Sequence, residues 1–378
     1  MGISIFTICI CGLLVLMAVT TPLCNGLLRK PRREPAGGTG DRLPAISIIM
    51  AVHDNASELE RNLPVLLGQD YAPGYEVIVV DESSTDDTED ILKRFKNRNN
   101  NLYTTFIPES SHYLSRRKLA LTLGVKAAHN EWIIIMDADC KPTDGHWLQA
   151  MAYHCDDSHD LVLGYVRYEQ SAKRFYRFLR LLMSCHIMRK AQKGMAYRCG
   201  GSCLALRKSK FMETNGFLKN LKFLRGEYDF IVNEQAQYQR TAVAIEPEAH
   251  IIQDAPSHKK WANEHVFYME TRRHLKRSAG FRAWFNADTA LLHLNYLAQI
   301  AAIVCSAMAA NWIILGTATA SLIITVALRA IIASKAMKLF GEHISLWAVP
   351  FMEMRVAWQN LFFWLRHRLS DKYDFIRR

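Results

Sequence analysis

Two glycine-rich phosphate-binding motifs are missing from this sequence of 378 residues. No G-x-x-x-x-G-K-[ST] motif occurs, and the turn after the first predicted strand reads A-V-H-D-N rather than G-x-G-x-x-G. These motifs build the phosphate cradles of P-loop nucleotide hydrolases and of dinucleotide-binding dehydrogenases. Both classes are therefore disfavoured, and a divalent cation becomes the better candidate partner for any phosphate that the chain binds.

Paired cysteines are also lacking. The nine cysteines are scattered without a C-x-x-C pair, and several lie in apolar segments. This pattern favours reduced, packed thiols and a cytosolic environment over a disulfide or zinc framework. The formal net charge is +11, but the basic residues cluster beside hydrophobic segments instead of alternating with aromatics. We therefore expect anionic membrane lipid, and no nucleic acid, as the partner of these charges.

No charged residue occurs between Ile3 and Leu28, which is long enough to cross a bilayer as a helix. Four basic residues follow within positions 29–33 and predict that the downstream chain stays in the cytoplasm. We expect a transmembrane anchor over residues 1–28 and a basic linker over 29–44, with the flexible P-A-G-G-T-G-D inside it. A cleaved signal peptide is the alternative, although Met1 to Ser4 carries no positive charge.

Short apolar runs alternate with helical patterns from residue 45 onward. The predicted strands are Ala45–Val52, Tyr75–Val80, Leu102–Ile107 and Trp132–Met136. Three helices are predicted between these strands. The first begins at Ser57, the second contains Ile91 to Phe95, and the third covers Arg116–His129. Four such alternations predict an α/β domain, over residues 45–285, with a parallel sheet and helices on both faces.

Acidic residues follow two of these strands. Asp81 and Glu82 end the second strand, and Asp137 and Asp139 follow the fourth with one residue between them. Because open sheets bind ligands at the carboxyl ends of their strands, we expect these acids to share a crevice. Asp137 and Asp139 are suited to bind a hard divalent cation that bridges to phosphate. For an Asp-x-Asp pair considered alone, the alternative is that the acids simply cap the next turn.

The last hundred residues are again apolar. Thr289–Met308 and Trp312–Leu328 predict a transmembrane hairpin over residues 286–333, unless they form a buried helical pair of a soluble domain. Leu346–Leu365 contains several spread polar residues, so we expect residues 334–378 to form an interfacial amphipathic helix and a basic tail. Three tryptophans would then lie at the headgroup level, namely Trp347, Trp358 and Trp364.

Several ordered blocks between Ile46 and Trp261 resemble the family 2 glycosyltransferases, which are inverting enzymes of the GT-A fold. The blocks are S-I-I-M-A-V-H-D-N, V-I-V-V-D-E-S-S-T-D-D-T, K-L-A-L-T-L-G, I-I-I-M-D-A-D-C, G-G-S-C-L-A-L-R-K and G-E-Y-D. Each is weakly specific alone, and their order and spacing carry the resemblance.

The resemblance implies a nucleotide site. It places Asp81 on the nucleotide base, commonly uracil, and Lys118 near the phosphates, unless Lys118 is a solvated helical lysine. Two further residues, Val52 and Asp54, would lie along the nucleotide. The resemblance also implies that Asp137 lies near the ribose and metal and that Asp139 ligates Mg²⁺ or Mn²⁺. Gly201, between Gly200 and Ser202, would lie beside the donor sugar, with a plain turn as the alternative.

The general base is ambiguous, because Tyr228 stands where the family often has an acid. We favour Asp229, which opens a predicted helix, with Glu227 as second choice; Asp229 as a mere helix cap is the alternative. S-H-K-K-W resembles the Q/R-x-x-R-W block of processive relatives in degraded form. It implies contacts of Lys260 with the diphosphate and of Trp261 with a sugar, or else a surface lysine and a core tryptophan.

The resemblance implies a metal-dependent transferase that moves a sugar from a nucleotide diphosphate, expected to be a UDP-sugar, to a saccharide or lipid-linked acceptor in surface glycan synthesis. We expect a multi-pass protein of the inner membrane with its catalytic domain in the cytoplasm, contacting membrane lipid and glycan-assembly proteins. A nucleotidyl- or phosphotransferase on a similar sheet and an inactive nucleotide-binding scaffold are the alternatives.

Overall fold

The apolar strands of the sequence form a buried mixed sheet. In the computed structural model, which describes residues 4–33, 43–108, 115–371 and 374–375, the chain divides into two units. We call Met1–Lys30 with Arg277–Phe362 the helical unit, and Pro31–Lys276 with Phe363–Arg378 the sheet unit. The predicted Pro35–Asp41 segment of the linker and the first three residues of the anchor lie outside the described residues.

The described residues contain ten strands and twelve α-helices. The strands are β1 (Ile46–Val52), β2 (Tyr75–Asp81), β3 (Leu102–Phe106), β4 (Trp132–Met136), β5 (Cys140–Pro142), β6 (Leu161–Gly164), β7 (Val166–Tyr168), β8 (Cys203–Arg207), β9 (Thr241–Ala244) and β10 (Ile251–Gln253). The helices are α1 (Ile5–Leu23), α2 (Ala56–Leu67), α3 (Thr88–Lys96), α4 (Arg116–Ala127), α5 (Trp147–Ala152), α6 (Arg174–Lys193), α7 (Lys208–Glu213), α8 (Glu227–Gln235), α9 (His258–Thr271), α10 (Ala279–Met308), α11 (Trp312–Leu339) and α12 (Val349–Leu369).

The main sheet has seven strands in the order β3-β2-β1-β4-β8-β6-β9. The first four of these are parallel, as the sequence predicts, whereas β8 runs antiparallel to both β4 and β6. Val52 pairs with Asp81 in the register, so β1 and β2 end at the same level. The carboxyl ends of the parallel strands therefore meet along one edge, which is where the sequence predicts the ligand.

Helices cover both faces of this sheet. Leu59, Leu63 and Leu66 of α2 join one buried core with alternate residues of β1 and with Trp147 of α5. Helix α4 packs against β1 and β2 and buries Leu121. The α/β class and the four predicted strand–helix alternations are confirmed. A second sheet with the order β5-β10-β7 was not predicted.

Within the part of the chain that the structure describes, three helices are long and apolar enough to cross a membrane. They span Ile5–Arg29, Arg282–Met308 and Trp312–Leu339. They overlap the three predicted apolar segments, although α11 continues to Leu339, beyond the predicted end at Leu328. Asn311 caps α11 at the predicted break by accepting a hydrogen bond from the Ile314 amide at 3.2 Å. All three belong to the helical unit. The predicted domain boundaries remain predictions.

Candidate active site

A cleft of about 1370 Å³ opens in the sheet unit at the carboxyl ends of the parallel strands. Its wall contains residues that directly follow β1, β2 and β4, the turn before β8, and the first turn of α8. Its acidic side chains are Glu82, Asp137, Asp139, Glu227, Asp229 and Glu264, and its basic ones are Arg116, Arg117, Arg180, Arg198, Arg225 and Lys260. The cleft therefore concentrates charge of both signs where the topology predicts a ligand site.

Asp137, directly after β4, collects donors from three separate elements. The hydroxyl of Tyr228 on α8 donates to Oδ1 at 2.7 Å, and that of Ser202 donates to Oδ2 at 2.5 Å. Arg117 of α4 forms an ion pair with the same carboxylate. Burial would raise the pKa of Asp137, but Arg117 and the two hydroxyls lower it below its usual value. The ionised Asp137 thus connects α4, α8 and the turn before β8 through its ion pair and its two hydrogen bonds.

Asp139 lies two residues further on and is held by side chains of β10 and α9. Its Oδ2 accepts hydrogen bonds from Nζ of Lys260 at 2.7 Å and from Nε2 of Gln253 at 3.1 Å. Its Oδ1 receives the weak thiol donor of Cys140 at 3.5 Å. Burial lowers the pKa of Lys260, but Asp139 raises it more, so the ammonium stays charged.

The donor set at this edge fits a hard divalent cation that is completed by its substrate. No group of three or more potential metal ligands among His, Cys, Asp and Glu is found among the described residues. Mg²⁺ is commonly held by one or two protein carboxylates together with substrate phosphates and water. Asp139 Oδ1 is the carboxylate oxygen with the weakest protein donor, whereas both oxygens of Asp137 accept strong donors. The arrangement therefore favours Asp139 over Asp137 as the ligand.

Helix α8 brings Asp229 into the cleft wall, but this carboxylate is already engaged. Arg198 pairs with it at 3.2 Å, and the Cys199 amide donates to it at 3.1 Å. The Arg198 guanidinium also stacks 3.8 Å above the ring of Tyr268. Burial raises the pKa of Asp229, and Arg198 opposes that shift. Asp229 therefore fixes Arg198 and the chain before β8 to the start of α8.

Glu227 occupies the first position of α8 and has different surroundings. Its side chain is 4% exposed, and its Oε1 atom has no hydrogen-bond partner in the described part of the chain. A buried carboxylate oxygen without a donor is unfavourable unless a ligand supplies one. Glu227 is consequently better placed than Asp229 to accept a proton or hydrogen bond from a bound molecule.

The residues at the ends of β1 and β2 that are predicted to contact the nucleotide stabilise the turns that follow these strands. Asp81 accepts hydrogen bonds from Oγ of Ser84 at 2.5 Å and from the Ser84 amide at 3.1 Å. Asp54 adopts a φ of 50° and accepts the Thr85 amide at 2.7 Å. The carbonyl of Val52 accepts the Glu82 amide at 2.8 Å. The residues that line the cleft here are their neighbours His53, Asn55 and Glu82. The nucleotide contacts of Val52, Asp54 and Asp81 remain predictions.

Two other predicted residues lie in packed surroundings. Lys118 is fully buried, and its ammonium donates to the carbonyls of Asn220 at 2.6 Å and Phe223 at 2.5 Å. Burial lowers the pKa of Lys118 to about 8. Trp261 is buried and stacks on Tyr176 with ring centroids 3.9 Å apart. The stacking of Trp261 matches the core tryptophan weighed as its alternative, whereas the buried Lys118 is not the solvated helical lysine weighed as its alternative. The nucleotide contact of Lys118 and the sugar contact of Trp261 remain predictions.

Gly201, in contrast, lines the cleft, and its predicted place beside the donor sugar remains a prediction. A Cβ atom at this position would lie 2.9 Å from Nη1 of Arg180 and 2.9 Å from Cβ of Val166. Only glycine allows the backbone to pass so closely over the Arg180 guanidinium, which in turn donates to Oη of Tyr168 at 2.5 Å. The glycine thus allows the turn before β8 to pass directly over a partly buried cation.

Sequence reasoning missed several residues of the cleft. Arg117 is the immediate neighbour of the predicted Lys118, and Glu82 is the neighbour of the predicted Asp81. In both pairs the correct segment was found, but which of two adjacent side chains faces the cleft depends on the helix or strand phase. Arg198 carried no recognisable signal, because it lies in an irregular segment before β8.

Comparison with known proteins agrees with this architecture. Residues 47–214 match the model of "Glycosyl transferase family 2". The glycosyltransferase AglE of Haloferax volcanii is 29% identical over 108 residues, which are 28% of this chain and 34% of that protein. The putative teichuronic acid biosynthesis glycosyltransferase TuaG of Bacillus subtilis is 28% identical over 98 residues, which are 26% of this chain and 37% of that protein.

Chondroitin synthase of Escherichia coli is 27% identical over 135 residues, 35% of this chain and 19% of its own length. The matched segments thus span only 19–37% of the length of these three relatives. Among solved structures, the mannosyltransferase PcManGT of Pyrobaculum calidifontis, in complex with GDP-Man and Mn²⁺, superposes with a TM-score of 0.53 at 19% identity. That superposition covers 94% of this chain and 98% of the other, and it supports the fold.

Proposed function

We propose, on the premise that residues 47–214 form a family 2 glycosyltransferase domain of the GT-A fold, that this protein is a membrane-associated inverting glycosyltransferase. It transfers a sugar from a nucleotide diphosphate to a hydroxyl of a saccharide or lipid-linked acceptor in surface glycan synthesis. The observation that carries the proposal is that one cleft contains both the Asp139–Lys260 ion pair and Glu227, whose Oε1 atom has no hydrogen-bond partner among the described residues.

The chemistry is a single displacement. Glu227 accepts the proton of the acceptor hydroxyl, and the resulting oxygen nucleophile attacks the anomeric carbon from the face opposite the diphosphate. The bond from that carbon to the diphosphate oxygen breaks, which inverts the anomeric configuration. We assign the base to Glu227 rather than to the initially favoured Asp229, because the latter is neutralised by Arg198.

The leaving diphosphate needs positive charge. Lys260 supplies an ammonium group 2.7 Å from Asp139 and reaches the same edge of the sheet. Asp139 would hold a Mg²⁺ or Mn²⁺ ion, which would supply Lewis-acid charge there. Asp137 keeps Tyr228 and Ser202 in place and so joins the donor and acceptor sides of the cleft.

The donor is a nucleoside diphosphate sugar, with UDP as the first choice and GDP as the second. The UDP expectation comes from the acidic block at the end of β2. GDP-mannose is the ligand named for the structurally similar mannosyltransferase, whose likeness extends to the fold. The donor screen therefore covers both nucleotides.

We further propose that the helical unit holds the protein in the inner membrane. Residues 1–28 would anchor it, residues 286–333 would form a hairpin, and residues 334–378 would lie along the interface. Cations at positions 29–33 would keep residues 45–285 in the cytoplasm, by the positive-inside rule. The acceptor would then be presented at the cytoplasmic face by a membrane lipid or by glycan-assembly proteins.

The test is a donor screen of the detergent-purified full-length protein with Mn²⁺, with Mg²⁺ and with EDTA. We expect one nucleotide sugar to raise the thermal unfolding temperature and to release nucleoside diphosphate on addition of acceptor, and EDTA to suppress the release. Release of pyrophosphate would instead identify a nucleotidyltransferase. Donor binding with no turnover on any lipid-linked or saccharide acceptor would identify an inactive scaffold.

A further inference from the structure

Glu270, in the last turn of α9, is a buried acid that does not line the cleft and has no part in the proposed mechanism. It is 8% exposed, and each of its carboxylate oxygens accepts a hydrogen bond from a different histidine. Nε2 of His274 donates to Oε1 at 3.2 Å, and Nε2 of His367 donates to Oε2 at 2.9 Å. Arg273 adds an ion pair at 3.5 Å. Burial raises the pKa of Glu270, but the hydrogen bonds from the two histidines lower it below its usual value, so the carboxylate is ionised.

Both histidines contact the part of the chain that holds the start of α8. The ring of His274 lies against that of Phe223, with centroids 4.5 Å apart. The ring of His367 lies against that of Phe375, with centroids 5.1 Å apart. The carbonyl of Phe375 in turn accepts the amide of Leu224 at 3.1 Å. One carboxylate is thus connected, through two histidines, to two successive residues before α8.

These two residues belong to the segment that leads to the proposed base. We call residues 220–226 the pre-α8 segment, because they directly precede Glu227 at the first position of α8. The last three residues of the segment line the cleft. Phe223 is 3% exposed and stacks on Phe230 of α8, with ring centroids 5.2 Å apart. A shift of the pre-α8 segment would therefore displace the first turn of α8 and the carboxylate of Glu227.

The pre-α8 segment has two anchors. The ammonium of Lys118 donates to the carbonyls of Asn220 and Phe223, which fixes the beginning of the segment. Leu224, one residue closer to the proposed base, is held by the carbonyl of Phe375, whose side chain is 5% exposed. The second anchor thus comes from the chain after α12, and it is this anchor that the histidine contact supports.

We propose that Glu270 is a positioning residue for Glu227: by fixing the two histidines, it holds the pre-α8 segment and the proposed base in the place that catalysis requires. The inference rests on the proposed function, which assigns the base to Glu227. A general base acts only within hydrogen-bonding reach of the proton that it accepts. A misplacement of about 1 Å, caused by a change far from the chemistry, can lower the rate by about a hundredfold.

The test compares the full-length wild type with Glu270→Gln and with a matched control, Glu246→Gln. Glu246 is another acid of the sheet unit that pairs with a buried histidine, His154, at 3.1 Å, and neither residue lines the cleft. Glutamine has one acceptor oxygen in place of two, so Glu270→Gln can retain only one of the histidine contacts. Both variants should unfold at a lower temperature than the wild type.

Only Glu270→Gln should alter catalysis. We expect its kcat to fall about tenfold or more, measured with the nucleotide sugar that turns over in the donor screen. Its affinity for UDP and GDP, measured by calorimetric titration with Mn²⁺, should equal that of the wild type. Glu246→Gln should retain the wild-type kcat. Phe375→Ala should lower kcat as Glu270→Gln does, and the double variant should lose less than the product of the two single effects, because both changes act through Leu224.

Hydrogen exchange followed by mass spectrometry measures the segment directly and requires no turnover. Peptides that cover residues 220–227 should exchange faster in Glu270→Gln than in the wild type, because the segment loses part of its second anchor. The same peptides should exchange at the wild-type rate in Glu246→Gln.

Three results would overturn the positioning role and leave the proposed function intact. These are a wild-type kcat in Glu270→Gln, a reduced kcat without faster exchange of residues 220–227, and equal losses of kcat in Glu270→Gln and Glu246→Gln. The last result would mean that general destabilisation causes the loss. A wild type that transfers no sugar to any acceptor would overturn the proposed function and the positioning role together.

Discussion

At the scale of single residues, Glu227 and Asp229 illustrate how two acids of one helix acquire different chemistry. Both are buried in the first turn of α8, where the positive end of the helix dipole favours negative charge. Asp229 is neutralised by Arg198 and accepts the Cys199 amide, whereas Glu227 Oε1 has no partner within the described residues. A base must have a free lone pair facing the acceptor, and this requirement separates the two.

Replacement of Glu227 by Gln should therefore abolish catalysis with little effect on donor binding. We expect kcat to fall by about 10²- to 10⁴-fold, the usual contribution of a general base, while the affinity for the nucleotide diphosphate changes little. Steady-state kinetics together with calorimetric titration of the donor measure both quantities. Asp229→Asn is the companion variant, and it should lose stability because Arg198 is left buried without its carboxylate.

The opposite pattern would reverse the assignment. If Glu227→Gln retains wild-type turnover and Asp229→Asn folds normally but is inactive, Asp229 is the base, as the sequence first suggested.

The choice between Glu227 and Asp229 could not be made from the sequence, because Arg198 lies about thirty positions before Asp229 and contacts it only in the folded chain. In contrast, the position of Asp137 and Asp139 just after β4 was predicted correctly, because a short apolar run that ends in polar residues is typical of a buried strand.

At the scale of elements, the start of α8 depends on Gly226. This residue adopts a φ of 95°, which side-chain-bearing residues rarely adopt, and it precedes both Glu227 and Asp229. A Cβ atom here would lie 2.8 Å from Cγ2 of Thr271 and 3.1 Å from Cε2 of Phe230. The helix can therefore begin at Glu227 only if position 226 has no side chain.

Gly226→Ala should displace the first turn of α8 and reduce activity more than the loss of stability alone would. We expect a loss of roughly 1–3 kcal/mol in the free energy of unfolding from backbone strain, increased by the two contacts. Gly74→Ala is the matched control: Gly74 has a φ of 88°, but no atom lies within 4 Å of its added Cβ. Chemical denaturation and turnover measured on both variants test this, and equal turnover of the two would show that Gly226 does not position the acids.

The same scale explains which elements could be predicted. Strands β1, β2, β3 and β4 contain five to seven residues each and alternate with helices, so their pattern is visible. Strands β5, β7 and β10 have three residues each, which is too short for any periodicity. Their second sheet positions Gln253 to donate a hydrogen bond to Asp139, so the surroundings of Asp139 were only partly predictable.

At the scale of the whole molecule, the helical unit contains buried charge that its apolar composition conceals. Arg329 of α11 is 1% exposed, and its Nε donates to Oε2 of Glu353 on α12 at 2.6 Å. It also pairs with Asp288 of α10 at 3.5 Å, and Asn25, after α1, donates to Oε1 of Glu353 at 2.7 Å. The cluster thus connects segments from both ends of the chain within this unit.

Glu353 was one of the polar residues that made a spanning α12 unfavourable in the sequence. In the structure the charge of Glu353 is compensated by Arg329. Glu353 is therefore no longer an argument against a membrane-spanning α12. The interfacial position of α12 remains a prediction. Ionisable groups in such segments are tolerated when they are paired inside a helical bundle. Removing one member of the Arg329–Glu353 ion pair should therefore destabilise the helical unit more than removing both members.

Arg329→Met should destabilise the helical unit by about 3–5 kcal/mol, the cost of leaving a buried carboxylate unpaired. The double variant Arg329→Met/Glu353→Met should recover much of that loss, because the unpaired carboxylate of Glu353 is removed as well. Lys338→Met, an exposed position on the same helix, is the control. Thermal unfolding followed by tryptophan fluorescence in detergent measures all three. Equal unfolding temperatures for Arg329→Met and Lys338→Met would mean that the ion pairs do not stabilise the helical unit, and that the association of its helices depends on apolar packing alone.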